Sequence, residues 1–462
     1  MLWSPFIQQT VCISVHFKSL LIFKNIDCIM YKVDLSLIHL EGCNMKVLIY
    51  YPPNKLGMSD FRKTDYSSLA ERARKELDGK IPNFGNKVWL QGILSEIDVE
   101  ETTYEFGYDE LTEEYINSNY DCVLLPLANC FHYNWIPYLE KRASHVSKLK
   151  IPVYVIACGI QAKSYDEIDS LVDSIKEPAT KFIKSVYNTG GEFALRGYFT
   201  AEFFERLGFK DAVVTGCPSI FQMGRDLTIS NEKVSRKDFV STINGTFKLP
   251  VPDKCIKLSD YICQDVYGKV LYDPEYFISN PLTFRRILKY IKRGDYDFVR
   301  AVANNKIKLF ADTQQWMSYY IHNNVSFSFG SRIHGTIIPI LSGVPSLCYT
   351  RDARTREMTE FFDIPHIVPS SNLQKKDIYE WYCETDYSAF NANFAKRYDD
   401  FEKFLQKCGL VKKINQNNPF MQRTAEGFEY PEIVNIEHIK KLKKTVSQNK
   451  ILFEILNTFY KR

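Results

Sequence analysis

Short apolar runs alternate with amphipathic stretches along the chain from Met45 onward. Runs rich in Val, Ile and Leu predict strands that are buried on both faces of a sheet. They fall at 47–51, 122–127, 153–158, 193–196 and 212–215. Between them, apolar residues recur every three to four positions, which predicts helices at 136–149, 179–189 and 200–207. Strands that alternate with helices indicate βαβ units and a parallel sheet.

The pattern lapses in a polar connection after Phe221 and then begins again. Strands are predicted at 239–244, 269–271, 307–310, 325–329 and 346–349, and helices at 282–293, 313–323, 336–342 and 354–362. The fold class is therefore α/β, with two Rossmann-like domains, at 45–225 and 226–405, that face each other across a cleft. Ligands of such sheets bind outside the carboxyl ends of the strands.

The two ends of the chain do not follow this alternation. Residues 1–44 are apolar but are interrupted by Gln8, Gln9, His16 and Lys18, and they lack the basic start of a signal peptide. We interpret them as an N-terminal extension that forms no domain; the alternative is a segment that contacts a membrane peripherally. After a helix predicted at 392–408, residues 406–462 form a C-terminal helical tail.

The composition and the cysteine pattern predict a globular protein of the cytoplasm. The chain has 462 residues, of which 45% are hydrophobic and 25% charged, with a net charge of +4. This balance, without a block of Lys and Arg, excludes a dedicated nucleic-acid binder. No apolar run reaches the roughly 18–20 residues of a membrane helix. The 12 Cys include no C-x-x-C pair, so we expect a reducing compartment, with neither a disulfide framework nor a metal site.

The tail carries its own charge pattern. Between 436 and 462, seven Lys or Arg residues stand against two Glu residues, and Ile439, Leu442, Val446 and Phe453 fall on one helical face. A basic amphipathic helix is attracted to anionic lipid, which predicts peripheral contact with the inner face of the membrane. The alternative is that this face packs back on the first domain.

The segment 326–368 carries the most specific chemistry. A buried strand ends at Phe329, a turn follows, and Arg332 and His334 stand where the next helix begins. The N–H groups of a first helical turn, together with a guanidinium, make a site for carboxylate or phosphate. An imidazole adds a group that can hold or release a proton near neutral pH. We interpret Gly335 as allowing a ligand to approach the backbone.

A second polar loop, 350–356, follows the next strand and should open on the same edge of the sheet. It contains Arg351, Arg354 and Arg356, which could add phosphate contacts or could simply be surface charges at a helix start. Asp352 is interpreted as the cap of the helix that begins near Arg354.

At these residues the chain resembles the polysaccharide pyruvyl transferase family, whose members carry strand, G-x-R-x-H-G, helix, G-x-P and strand in this order. The segment 151–162 is similar to the family's strand that ends G-x-G-I-Q. The segment 193–221 is similar to its Arg-bearing loop, helix and strand ending T-G-x-P, and 82–93 is weakly similar to an early N-x-G-D loop. The likeness covers about residues 45–405.

The resemblance implies a fold like that of GT-B glycosyltransferases and a donor, phosphoenolpyruvate, with no further cofactor. The carboxyvinyl part of the donor would be transferred to two hydroxyls of one sugar in a surface or exopolysaccharide precursor, which can be lipid-linked. The products would be a cyclic pyruvate ketal and phosphate. A GT-B glycosyltransferase that uses a nucleotide sugar is the alternative, and a non-catalytic scaffold of glycan assembly is a further one.

Site residues are also implied by the resemblance. Arg196, Arg332, His334 and Arg354 would bind phosphoenolpyruvate, with His334 as the catalytic general acid or as the group that stabilises the leaving phosphate. Three positions depart from the family pattern and lie on the expected acceptor side. They are Asn86 and Cys217, where the family usually has Asp, and the loop 126–134, which contains His132. His132 is either an acceptor-side base or a hydrogen-bonded structural residue.

Overall fold

Two parallel sheets, each of six strands, organise the part of the chain that the structure describes. This computed structural model describes residues 45–51, 85–97, 102–246, 248–264, 306–310 and 313–410. The first sheet has the order β2-β1-β3-β4-β5-β6 and the second has the order β12-β11-β10-β7-β8-β9. All neighbouring strands in both sheets are parallel.

The strands of the first sheet are β1 Met45–Tyr50, β2 Thr102–Gly107, β3 Cys122–Pro126, β4 Val153–Cys158, β5 Glu192–Leu195 and β6 Val213–Val214. Those of the second are β7 Ser241–Asn244, β8 Asp260–Cys263, β9 Ile307–Leu309, β10 Phe327–Gly330, β11 Ser346–Tyr349 and β12 His366–Ile367. In the second sheet the strand order reverses between β7 and β10. Such a switch point is where doubly wound sheets bind ligands.

The described helices are α1 Gly85–Ile97, α2 Glu113–Asn119, α3 Ile136–Val146, α4 Ile168–Asn188, α5 Tyr198–Arg206, α6 Asp253–Leu258, α7 Thr313–His322, α8 Ile333–Leu341, α9 Ala353–Phe361, α10 Ile378–Glu384 and α11 Ser388–Lys407. Each is short enough to span one layer of an α/β fold. None of them is long and apolar enough to cross a membrane.

The predicted fold class is confirmed, because both runs of strands form parallel sheets that are flanked by helices. The strand at 193–196 ends one residue earlier than predicted, so Arg196 lies in the loop after β5. Strands β2, β8 and β12 were not predicted. The predictions for 1–44, 269–271, 282–293 and most of 406–462 lie outside the described residues, and the domain boundaries stay predictions.

A shared apolar core joins the two sheets. The Phe221 ring, which follows the first sheet, stacks on Phe401 of α11 with centroids 5.1 Å apart, and it meets Phe362 at 5.6 Å. Helix α11 reaches back to the first sheet, where Lys407 forms an ion pair with Glu192 at 2.5 Å. The apolar strands bury three free cysteines, Cys122, Cys158 and Cys348. Helix α11, which follows the second sheet in the chain, therefore packs against the first half of the molecule.

Candidate active site

The Asn244 side chain builds the turn at the switch point of the second sheet. Asn244 ends β7 and is fully buried. Its Oδ1 accepts a hydrogen bond from the backbone N–H of Arg332 at 3.0 Å, and its Nδ2 donates to the carbonyl of Gly335 at 3.1 Å. One amide therefore holds both sides of the start of α8, where Arg332 and His334 stand.

The two glycines around this turn are explained by Asn244. A Cβ on Gly330 would lie 2.2 Å from the Asn244 amide, and a Cβ on Gly335 would lie 2.6 Å from it. Real Cβ contacts of that length do not occur, so both positions require glycine. The interpretation that Gly335 admits a ligand is therefore wrong, because the group against it is the Asn244 side chain.

Arg332 caps helix α8 from an extended conformation, and it forms no side-chain cap hydrogen bond. The carbonyl of Arg332 accepts bonds from the N–H of Thr336 at 3.0 Å and from its hydroxyl at 3.1 Å. Burial lowers the pKa of the Arg332 guanidinium, and the neighbouring Arg354 lowers it further. The first turn of α8 therefore presents its positive end beside a guanidinium held in a partly buried place.

His334 lies at the centre of the positive charge. Its side chain is buried, and its Nε2 has no hydrogen-bond partner among the described residues. Burial holds the pKa of His334 well below the usual value for histidine, and Arg196, Arg354 and Arg332 lower it further. The lowered pKa favours the neutral imidazole, whose Nε2 is suited to contact a ligand.

Arg196 comes from the first sheet. Its backbone N–H donates to the carbonyl of Cys158 at 2.8 Å, and its Nη1 donates to Oδ1 of Asn129 at 3.0 Å. The side chain is only 3% exposed, and its Nε has no partner within the described part of the chain. Burial lowers the pKa of Arg196, and Arg354 adds to this effect. A buried guanidinium with an unpaired N–H is suited to an anionic ligand.

Arg354 stands in the first turn of α9, whose cap is Asp352 as predicted. Asp352 Oδ1 accepts from the N–H of Thr355 at 2.8 Å, and its Oδ2 accepts from Nη2 of Arg354 at 3.3 Å. Arg354 Nε is buried and has no partner among the described residues. In contrast, Arg356 pairs with Glu360 at 2.7 Å on the outer side of the helix. Of the two, Arg354 is the one that acts electrostatically on His334 and Arg196.

The structure brings together the four residues predicted for the donor. Arg196, Arg332 and Arg354 all act electrostatically on His334. It does not join the other two predicted residues to them. Asn86 is exposed as the second residue of α1, and the charged neighbour that acts on His132 is Glu167.

His132 has a structural task in this molecule. Its Nδ1 accepts from the N–H of Asn134 at 3.2 Å, so it caps the short 3-10 helix Tyr133–Trp135. Burial lowers its pKa. Of the two interpretations of His132, the hydrogen-bonded structural residue agrees with this geometry.

Sequence reasoning missed three residues of the site: Asn129, Asn244 and Glu357. Asn129 holds the Arg196 side chain, Asn244 holds the α8 turn, and Glu357 is a buried carboxylate that acts on Arg196. Two signals in the sequence could have indicated Asn244. It stands at the end of a strand, and Gly330 and Gly335 are spaced five residues apart. Within the described ranges, no group of three or more His, Cys, Asp or Glu side chains could hold a metal ion.

One known protein family matches most of the chain. The sequence model of one family, described as polysaccharide pyruvyl transferase, matches residues 47–353. The chain belongs to the polysaccharide pyruvyl transferase family. The match includes Arg196, Arg332 and His334 and ends one residue before Arg354. Membership supports a transferase that moves pyruvyl groups to a polysaccharide.

Solved structures share only a distant likeness with the chain. A UDP-GlcNAc 2-epimerase from Neisseria meningitidis bound to UDP-GlcNAc is 12% identical with a TM-score of 0.33, over 88% of this chain and 100% of that one. The enzyme of Methanocaldococcus jannaschii, in complex with UDP-GlcNAc and UDP, is 14% identical with a TM-score of 0.31, over 83% of this chain and 97% of that one. Such values support no argument. No curated protein matches the chain.

Proposed function

We propose that the protein transfers the carboxyvinyl part of phosphoenolpyruvate to a sugar of a surface or exopolysaccharide precursor. The products are a cyclic pyruvate ketal and phosphate. The observation that carries this proposal is the cluster of Arg196, Arg332 and Arg354 around a buried, neutral His334 at the switch point of the second sheet.

The charge of the donor matches the cluster. Phosphoenolpyruvate carries a phosphate and a carboxylate, and each can accept two parallel hydrogen bonds from a guanidinium. Arg196 and Arg354 each hold a buried Nε–H without a partner among the described residues. An unsatisfied buried donor costs about 1–3 kcal/mol, so an anion that accepts from both stabilises the site.

His334 supplies the proton in this proposal. Arginine stays charged and acts as a clamp, whereas imidazole can transfer a proton near neutral pH. Burial and three nearby cations lower the pKa of His334 and favour its neutral form. When the anionic donor neutralises those cations, the pKa of His334 rises and the imidazolium becomes available. Binding of the donor therefore favours the protonated form of His334, which then acts as the general acid.

His334 gives a proton to the methylene carbon of the donor, which forms a methyl group and an oxocarbenium-like centre. One sugar hydroxyl attacks that centre and loses its proton. The bond from this carbon to the phosphate oxygen then breaks, which gives a second oxocarbenium-like centre. The second hydroxyl attacks this centre and its proton passes to the departing phosphate, which closes the ketal. One donor and one diol give one ketal and one hydrogen phosphate.

The acceptor is placed on the side of the first sheet in this scheme. Asn129 follows β3 and binds Arg196, and His132 lies three residues further along the same loop. Asn86 and polar side chains of the loop 126–134 are the other candidates for contact with the acceptor sugar.

Phosphate release tests the proposal. The full chain is incubated with phosphoenolpyruvate and a panel of acceptors that carry galactose, glucose, mannose or hexosamine. We expect release that depends on one class of acceptor, with ketal found by mass spectrometry, and loss of release in Arg332→Ala. Release of a nucleoside diphosphate from a nucleotide sugar, without use of phosphoenolpyruvate, would overturn the proposal in favour of a glycosyltransferase.

A further inference from the structure

Glu357 is a buried carboxylate that connects the second half of the molecule to the first. It lies on α9 and is 2% exposed. Its Oε1 accepts a hydrogen bond from the backbone N–H of Thr200 at 2.5 Å, and its Oε2 accepts from the Thr200 hydroxyl at 3.0 Å. Thr200 lies in the first turn of α5, and 157 residues separate the two partners.

The carboxylate completes a helix start that has no cap of its own. Gly197 is the N-cap residue of α5 and makes no side-chain cap hydrogen bond. The N–H of Thr200, the third helical residue, would otherwise have no acceptor within its helix. A Cβ on Gly197 would lie 2.3 Å from Cγ of Glu357, so glycine is required for this approach. Glu357 therefore caps α5 from another part of the chain.

The groups held by Glu357 flank Arg196. Gly197 follows Arg196 directly in the chain. The Thr200 hydroxyl also accepts from the N–H of Ile160 at 3.3 Å, next to Gly159. A Cβ on Gly159 would lie 3.0 Å from Cδ of Arg196, so the arginine side chain lies against that glycine. Glu357 thus fixes the backbone that follows Arg196 and the segment that lies beside its side chain.

The same helix carries Arg354. The first residue of α9, Ala353, donates its N–H to the carbonyl of Ala162 in the first half at 3.1 Å. Glu357 makes its contact one turn later. Arg354 lies between these two attachments, so the position of α9 on the first half sets its distance from Arg196.

We propose that Glu357 is a positioning residue that holds Arg196 and Arg354 at the spacing required to bind both anionic groups of the donor at once. The inference rests on the proposed function for its account of the donor. Glu357 touches neither donor nor reacting atoms in this account, and it acts only through the start of α5 and the placement of α9.

Four variants test the proposal by steady-state kinetics. In Glu357→Gln an NH2 group replaces the oxygen that accepts from the Thr200 hydroxyl, and in Thr200→Val that hydroxyl is absent, so each variant removes this one bond. Thr200→Ser keeps the hydroxyl, and Glu202→Gln removes an exposed carboxylate of α5 as the control. We expect the KM for phosphoenolpyruvate to rise about tenfold in the first two, with kcat and the acceptor KM within twofold. Thr200→Ser and the control should match the wild type.

The double variant Glu357→Gln with Thr200→Val should be no worse than the worse single variant, because both remove one contact. Additive losses would overturn the account. An unchanged KM for phosphoenolpyruvate in Thr200→Val would also overturn the account. This variant tests the positioning role of Glu357 even if Glu357→Gln does not fold.

Hydrogen–deuterium exchange tests the contact without any donor. Peptides that cover 196–206 should exchange faster in Glu357→Gln and Thr200→Val, and at the wild-type rate in Glu202→Gln. Unchanged exchange would overturn the cap itself. If the wild type does not use phosphoenolpyruvate, the proposed function and the donor part of this inference both fail, whereas the exchange result still decides whether Glu357 holds α5.

Discussion

Replacing Asn244 by alanine should damage both the stability of the protein and its donor site. The Asn244 amide bonds to the N–H of Arg332 and the carbonyl of Gly335, and it lies against Gly330. In the alanine variant both bonds are lost, and the two glycines leave a space that no other side chain fills. The start of α8 is then held only by its remaining backbone bonds.

The expected cost follows from these contacts. The N–H of Arg332 and the carbonyl of Gly335 both lose the Asn244 amide as partner, and each such loss at a buried group costs about 1–3 kcal/mol. We therefore expect Asn244→Ala to lower the free energy of unfolding by about 3 kcal/mol. The KM for phosphoenolpyruvate should rise as well, because Arg332 and His334 lose their fixed place.

Urea unfolding and steady-state kinetics measure the two effects, and Asn391→Ala is the matched control. The Asn391 amide also bonds twice to the backbone, accepting from the N–H of Ile229 at 2.9 Å and donating to its carbonyl at 2.8 Å. The control should lose stability but keep the donor KM. A stability change under about 0.5 kcal/mol in Asn244→Ala, with wild-type kinetics, would refute the reasoning.

Three further predictions concern the charged groups. Arg332→Lys should lower kcat/KM for phosphoenolpyruvate by about 10²-fold or more, since it loses one or two charge-assisted bonds of ~1.5–3 kcal/mol each; wild-type kinetics in the folded variant would contradict the clamp. His334→Gln should keep donor binding and lower kcat about 10²–10⁴-fold; a normal kcat would exclude the acid role. Burial raises the pKa of Glu357 to about 7 from 4.5, despite its bonds to Thr200 and the attraction of Arg196. Between pH 4.5 and 7 the unfolded chain therefore binds fewer protons, and stability should fall by about 3 kcal/mol as the pH rises through this window. Urea unfolding of wild type and Glu357→Gln at several pH values gives the difference in their free energies of unfolding. A difference that does not change with pH would contradict the raised pKa.

Local signals predicted the centre of the site. The segment 330–335 combines a strand end, a turn and a helix start within six residues, so its pattern alone places Arg332 and His334 at a helix start. The cap at Asp352 was predictable for the same reason, because the N–H it accepts from belongs to a residue three positions away.

Contacts between distant segments were not predictable from the pattern. Asn244 and Arg332 are 88 residues apart, and Glu357 and Thr200 are 157 apart. An isolated Asn or Glu carries no periodic signal for such a partner. Strand β2 escaped prediction because it is an edge strand in which Thr103 and Glu105 are exposed, so it lacks the continuous apolar run of a central strand.

Calorimetric titration of phosphoenolpyruvate onto the full chain tests the central claim most directly. We expect one saturable site in the wild type, loss of measurable binding in Arg332→Ala, and wild-type affinity in Arg206→Ala. Arg206 is the control because it is an exposed arginine at the end of α5 that pairs with Glu202. Absence of binding in the wild type, or equal affinity in Arg332→Ala, would contradict the assignment of this arginine cluster as the donor site.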